Sequence, residues 1–143
     1  MSQQQTPQTH QTMIFVNLPV KDLDASKAFW KELGYSFNAQ FTDETAASLV
    51  ISDTIYAMLL TEAKFKEFTH KALADTATTV QTLLCLSAAS REAVDSLVDT
   101  AVRAGGTEPR AAMDHGFMYL RAFEDLDGHT WEIMWMDPAA VQG

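Results

Sequence analysis

The sequence is poor in cations and in cysteine, and both shortages limit what the chain can do. Its 143 residues include 10 Lys and Arg against 19 Asp and Glu, which gives a formal net charge of -9. Nucleic acids and anionic membranes both attract positive surfaces, so neither is an expected partner. Cys85 is the single cysteine, which excludes an intrachain disulfide and a zinc site built from several cysteines.

Long apolar runs and a basic leader are also missing. No apolar stretch approaches the roughly 20 residues that a membrane-spanning helix needs. Residues 1–12 contain five Gln and no Asp, Glu, Lys or Arg, whereas a secretory signal has a basic start and an apolar stretch. We therefore expect residues 1–12 to form a disordered, solvated tail. The single thiol also fits a cytoplasmic protein, which is the predicted location.

The first half of the sequence predicts one strand, one helix and three further strands. A strand at 13–18 precedes a helix that begins after Asp22 or Asp24, whose side chains suit an N-cap. Gly34 ends that helix, because glycine adopts the left-handed cap conformation without strain. Three short strands follow before residue 61.

The second half repeats this order. A strand at 82–87 precedes a helix that begins after Ser90, has an amphipathic period and stops at Gly105. Strands are then predicted at 107–112, 117–123 and 130–136, which completes the same order of elements.

The fold class is therefore α+β, with two tandem βαβββ units that form a curved mixed sheet around a cleft. Residues 13–138 are predicted to be a single domain, with halves at about 13–62 and 80–137. A unit of about 70 residues buries little core alone, so the halves are expected to share one.

Two segments resemble the vicinal oxygen chelate superfamily, which contains glyoxalase I, bleomycin-resistance proteins, fosfomycin-resistance enzymes and extradiol dioxygenases. Residues 16–34, VNLPVKDLDASKAFWKELG, are similar to the first strand and helix of that superfamily. Residues 123–133, FEDLDGHTWEI, are similar to its F-x-D-P-D-G-x-x-x-E ending, with Leu126 in place of the usual proline. The resemblance covers residues 13–137 and is closest to poorly characterised bacterial glyoxalase-like or dioxygenase-like members.

The resemblance implies where a metal would bind. In metal-dependent members of the superfamily, each half supplies one ligand from its first strand and one from its last. Glu132 matches the glutamate ligand of the final strand, and its counterpart in the first half is Met58. The first-strand positions fall on Phe15 and Leu83.

A shift to the next inward residue of each first strand gives Asn17 and Cys85 instead. Hard or borderline divalent ions need nitrogen or oxygen donors, which three of the four matching side chains lack. Asn17 is a weak donor, and Cys85 suits a softer ion. We therefore expect a degenerate metal site and no cofactor, with a divalent metal on Glu132 as the alternative.

Glu132 is also the candidate catalytic residue. It shares one face of its strand with Met134, and Arg121 on the preceding strand is the candidate cation beside it. The pair is either structural or the polar anchor of an apolar pocket. Tyr119 is expected to line that pocket, and His115 is either a turn residue or a general base at its rim.

These features favour a metal-free protein that binds a small, cationic or aromatic molecule in the cleft, similar to the bleomycin-resistance branch. The alternative is a metal-dependent glyoxalase-like lyase or isomerase that uses Glu132. An extradiol dioxygenase is disfavoured, because the histidines do not fall on the ligand strands. A third hypothesis is an interaction module, in which the protein's own side chains fill the cleft.

A homodimer is expected, because exposed sheets need covering. The candidate ligand-binding residues are Phe15, Asn17, Met58, Leu83, Cys85, His115, Tyr119, Arg121 and Met134.

Overall fold

The computed structural model describes residues 10–140, so the predicted tail at 1–12 lies outside it except for its last three positions. Both predicted units are present, and the first begins at Ile14. Its elements are β1 (Ile14–Val20), α1 (Leu23–Glu32), β2 (Ser36–Asn38), β3 (Ala46–Val50) and β4 (Ile55–Thr61).

The second unit follows a short helix and an irregular connection. The strand predicted at 107–112 is wrong: Thr107 forms an isolated bridge with Glu124, and Pro109 has no N–H to extend the pairing. The strand lies at Met113–Asp114 instead. The short helix is α2 (Glu62–Phe65). The elements of the second unit are β5 (Leu83–Ser87), α3 (Arg91–Arg103), β6 (Met113–Asp114), β7 (Met118–Glu124) and β8 (Thr130–Met136).

The strands form two four-stranded mixed sheets. The N-sheet has the order β1-β4-β3-β2 and the C-sheet has the order β5-β8-β7-β6. In each sheet the first strand is parallel to the last strand, and the other pairs are antiparallel. The α+β class and the two βαβββ units are thereby confirmed. Among residues 10–140 no hydrogen-bonded strand pair joins the two sheets, so they do not form one continuous sheet.

Local sequence signals place the two long helices. Asp22 and Ser90 each accept a hydrogen bond from the backbone amide three residues later, at 3.0 Å in both cases. These bonds satisfy amides that have no partner inside the first helical turn. Gly34 and Gly105 follow the helices with φ values of 96° and 116°. The predicted starts and stops of α1 and α3 are therefore confirmed.

One hydrophobic core joins the two halves. Phe29 and Trp30 of α1 are buried in the same cluster as Val98 of α3 and Phe123 of β7. Trp30 meets Trp131 of β8 edge to face, with ring centroids 4.8 Å apart. Because α1 belongs to the first half and β8 to the second, this contact lets two units with little core of their own share one core.

The acidic turn before β8 is built around a buried carboxyl group. Asp125 is 8 % exposed and accepts hydrogen bonds from the indole Nε1 of Trp131 at 3.0 Å and from two amides of its own turn, those of Asp127 and His129. Burial raises the pKa of Asp125 above its ordinary value. The three donors offset part of the free-energy cost of burying this group.

The same turn also reaches across to the first half. The Asp127 carboxylate accepts from the backbone amide of Lys21 at 2.8 Å and from the hydroxyl of Ser26 at 3.3 Å. The Nε2 atom of His129 lies 2.8 Å from the carbonyl oxygen of Pro19. This turn therefore ties the second half to the start of α1.

Replacing Trp131 with Phe should lower the free energy of unfolding by about 1–3 kcal/mol, because Asp125 loses its indole donor and stays buried. Urea denaturation of both proteins measures the difference. Trp135→Phe is the matched control, since Trp135 is only partly buried and its ring faces the Arg91 guanidinium. Equal losses in the two variants would show that the hydrogen bond to Asp125 contributes little.

Candidate functional site

The N-sheet leaves one of its faces open. Ala57 of β4 is buried in the core, so alternation along the strand turns Met58 toward the opposite face. Asn17 is the register partner of Met58, and Phe15 is the partner of Tyr56. Phe15 is 50 % exposed, and its ring stacks on Tyr56 with centroids 5.0 Å apart. Three predicted site residues therefore share this open face.

The C-sheet is arranged in the same way. Ile133 is buried, so Glu132 and Met134 on either side of it point to the open face. Cys85 is the register partner of Glu132, and Leu83 lies on the same face of β5 with 55 % of its surface exposed. Four further predicted site residues are therefore brought together.

The strand registers decide between the two sets of ligand positions. They place Asn17 beside Met58 in one sheet and Cys85 beside Glu132 in the other, so the inward pair is the one that aligns with the last strands. An amide, a thioether, a thiol and one carboxylate do not fit a hard divalent ion. In the described part of the chain, no three His, Cys, Asp or Glu side chains group closely enough to hold a metal.

Glu132 is paired with a cation that sequence reasoning missed. The guanidinium of Arg110 lies 3.0 Å from its Oε2 atom, and the two side chains are 32 % and 17 % exposed for Arg110 and Glu132 respectively. Arg110 comes from the irregular segment that precedes β6. No periodic pattern in the sequence points to a residue in such a segment, so only the folded structure identifies this pair.

Arg121 is not the partner of Glu132, which corrects the expected pairing. Its register partner is the buried Ile133, so it lies on the face of β7 that packs against α3. There it donates hydrogen bonds to Asp95 at 2.8 Å and to Asp99 and Glu108 at 2.9 Å. These carboxylates raise the pKa of Arg121 and hold the side chain on the opposite side of the sheet from Glu132.

Tyr119 and His115 also lie away from Glu132. The Tyr119 hydroxyl donates to Asp95 at 2.6 Å, and this bond, followed by burial, raises the pKa of the phenol. Its ring lies 5.1 Å from the guanidinium carbon of Arg91. His115 occupies an exposed turn, with its ring 6.5 Å from that of Phe117. The structure therefore does not bring either residue to the open face.

Cys85 has an environment that disfavours the thiolate. Partial burial raises the pKa of the thiol, and the negative charge of Glu132 raises it further. A cysteine with a raised pKa is a poor nucleophile, because the thiolate is the reactive form. Its place beside Glu132 therefore suits packing against a ligand better than covalent chemistry.

A cavity lies at the seam between the two sheets. It has a volume of about 360 Å³ and is bounded by β1, the start of β5, the connecting segment at 69–82 and His129. We call it the seam pocket. Asn17 belongs to its wall, whereas the other predicted site residues do not line it.

Comparison with known proteins supports the fold. Residues 12–52 match a family described as bleomycin resistance protein-like, N-terminal. The hypothetical protein SA1046 from S. aureus is 28 % identical, with a TM-score of 0.74 over 89 % of this chain and 95 % of its own. No curated protein matches the chain.

Two further solved structures share this fold and have names that refer to glyoxalases. A glyoxalase-related enzyme from Fulvimarina pelagi is 22 % identical, with a TM-score of 0.74 over 88 % of both chains. A glyoxalase/bleomycin resistance protein/dioxygenase family enzyme from Burkholderia phytofirmans PsJN is 19 % identical, with a TM-score of 0.72 over 88 % of this chain and 99 % of its own. These likenesses confirm the fold, and together with the family match over residues 12–52 they support the resemblance to the vicinal oxygen chelate superfamily.

None of the helices in residues 10–140 combines the length and the apolar character that crossing a membrane requires.

Glu132→Gln should make Cys85 react faster with iodoacetamide at pH 8. Removing the carboxylate charge lowers the pKa of the thiol, so more thiolate is present, and we expect a rate increase of about two- to fivefold. Mass spectrometry measures the rate cleanly, because the chain has one cysteine. Glu124→Gln, a change at the far end of β7, should leave the rate unchanged. A slower reaction in Glu132→Gln would contradict the assigned effect of the charge.

Proposed function

We propose that this chain, which has the vicinal oxygen chelate fold, is a small-molecule binding protein that works without a metal at the superfamily's ligand positions. One observation carries the proposal. The register brings together Asn17 with Met58 and Cys85 with Glu132, and one oxygen of the Glu132 carboxylate, Oε2, is paired with Arg110. Such a set can hold an organic molecule but is a poor cage for a metal ion.

The ligand that suits these faces is aromatic and carries a cationic group. Phe15 and Tyr56 offer stacked rings, and Leu83 and Met134 offer an adaptable apolar surface. Arg110 contacts only the Oε2 atom of Glu132 in the described contacts, so we assign Oε1 to the cationic group of the ligand. The net charge of -9 favours the approach of a cation over that of an anion.

We further propose that a second copy completes the binding cleft. Phe15 on the open face of the N-sheet is 50 % exposed, and Leu83 on the open face of the C-sheet is 55 % exposed. Both belong to edge strands whose outer edges pair with nothing in residues 10–140. Exposed apolar side chains beside unpaired strand edges are unfavourable in water. A homodimer that packs these faces together removes that exposure and encloses a ligand between two copies.

The metal-dependent lyase or isomerase is less well supported. It shares Glu132 with the proposed binding site, but residues 10–140 contain no group of three or more His, Cys, Asp or Glu side chains that could hold a metal ion. For the binding protein we keep the cytoplasmic location predicted from the sequence, where a single cysteine stays reduced.

Bleomycin, the ligand named by the matching family, and tryptamine, a small aromatic cation, are the first probes. We expect one of them to raise the melting temperature of the protein and Glu132→Gln to weaken its binding about tenfold, because a charged hydrogen bond is lost. Glu44→Gln, a change in an exposed turn, is the matched control.

The absence of any stabilisation by bleomycin or tryptamine would count against the proposed ligand class. Metal analysis of the same preparation provides the second check. One Ni, Zn, Mn or Fe per chain, lost in Glu132→Gln, would favour the metal-dependent alternative instead.

Sedimentation should give a species of twice 15.8 kDa at micromolar concentration. Leu83→Glu should convert it to a monomer, because a charge is placed on the buried face of the interface. Phe68→Glu changes a side chain that is 71 % exposed and lies outside both open faces, so the dimer should persist. A 15.8 kDa species for the unmodified protein would refute the second copy.

A further inference from the structure

Of the residues assigned to the proposed cleft, only Asn17 also lines the seam pocket. Two edge strands that do not pair with each other, β1 and β5, form its inner walls, and the connecting segment at 69–82 forms its outer wall. Glu132 and Cys85, which belong to the open face of the C-sheet, do not line it. Its volume of about 360 Å³ falls within the range of small-molecule sites.

The outer wall of the seam pocket is held in place by the acidic turn. The hydroxyl of Thr76 donates a hydrogen bond to the carbonyl oxygen of Asp127. Gly128 has a φ of 82°, and a Cβ added there would lie 2.8 Å from the carbonyl oxygen of Thr76. The close approach shows that the connecting segment packs directly on the turn. At Thr76, the outer wall of the cavity is therefore fixed by direct contact with the acidic turn.

The wall of the seam pocket carries no formal charge. Its described lining residues include no Asp, Glu, Lys or Arg, although such residues make up 20 % of the chain. Leu18, Phe65, Leu73 and Leu84 are among its apolar lining residues. A charged ligand would lose hydration there without gaining an ion pair, so the wall selects an uncharged molecule.

His129 is one of the polar residues in this mostly apolar wall, and its ring has a defined hydrogen bond. Its Nε2 atom lies 2.8 Å from the carbonyl oxygen of Pro19, and a carbonyl can only accept, so Nε2 carries the proton. In the neutral ring, Nδ1 is then a hydrogen-bond acceptor. Several wall hydroxyls are already engaged, as in the bonds from Thr76 to Asp127 and from Thr79 to Asp75. A ligand hydroxyl that donates to Nδ1 of His129 fits this arrangement.

We propose that the seam pocket is a second binding site, and that it takes an uncharged aromatic molecule of two fused rings bearing one hydroxyl group. An apolar cavity of roughly 150 Å³ holds one benzene ring, so the larger seam pocket accommodates two rings. The hydroxyl donates to His129, and the rings occupy the space between Leu18 and Leu84.

The probe is 2-naphthol, titrated into the full-length protein while backbone amide chemical shifts are followed. Saturable shifts are expected at residues 72–82 and at Gly128 and His129. Naphthalene-2-sulfonate, an anion of the same ring size, should bind at least tenfold more weakly because the wall offers no cation. Shifts confined to the open faces around Cys85 and Glu132, or no saturable shift with 2-naphthol, would overturn the proposal.

Two variants test the contacts. Ala72→Trp places a large side chain at the wall and should abolish the shifts, whereas Ala63→Trp on α2, outside the pocket, should not. His129→Gln retains an N–H that can reach Pro19 and removes the Nδ1 acceptor, so 2-naphthol should bind about three- to tenfold more weakly. His70→Gln is its control. Unchanged affinity in both Ala72→Trp and His129→Gln would overturn the site.

The titration with bleomycin and tryptamine reports on the cleft alone, so the two proposals fail separately. If Glu132→Gln weakens bleomycin or tryptamine while the 2-naphthol shifts are unchanged, both sites stand as distinct. If 2-naphthol competes with bleomycin or tryptamine, the seam pocket is not a second site.

Discussion

The contact between Trp30 and Trp131 joins the two βαβββ units within one hydrophobic core. It requires α1 of the first half to pack against β8 of the second, and the aromatic cluster around it fills the space between the helices and the sheets. The core therefore uses one face of each sheet, and the opposite faces carry exposed apolar side chains such as Phe15 and Leu83. The proposed cleft lies on these opposite faces, and the seam pocket lies between the edge strands of the two sheets.

The acidic turn whose sequence resembles the ending of the superfamily has a structural role here. Asp125 accepts a hydrogen bond from the indole of Trp131, and Asp127 accepts one from the backbone amide of Lys21, just before α1. The motif thus holds the two halves together and sets the register that places Glu132 on the open face. A motif with this role predicts the fold well and the reaction poorly. It can persist when the ligands of a metal do not.

Local patterns predict much of this fold because its helices and strands are fixed by nearby residues. The cap at Asp22 and the stop at Gly34 each depend on a few neighbouring side chains, so α1 was predictable from the sequence. The partner of Glu132 was not, because Arg110 belongs to an irregular segment 22 residues away. Arg121 was misplaced for a related reason: its face of β7 depends on the register with β8, which alternation within one strand cannot give.

Several of the acidic residues lie away from the proposed cleft and the seam pocket. Asp95, Asp99 and Glu108 surround Arg121 on the helix side of the C-sheet, and Glu132 on the open face is paired with Arg110. The seam pocket has no formal charge in its described wall. The net charge of -9 therefore raises the local concentration of cations around the whole protein and contributes little to contacts inside either site. In the proposed sites, selectivity is therefore expected to come from individual groups: the Glu132 carboxylate in the cleft and the His129 imidazole in the seam pocket.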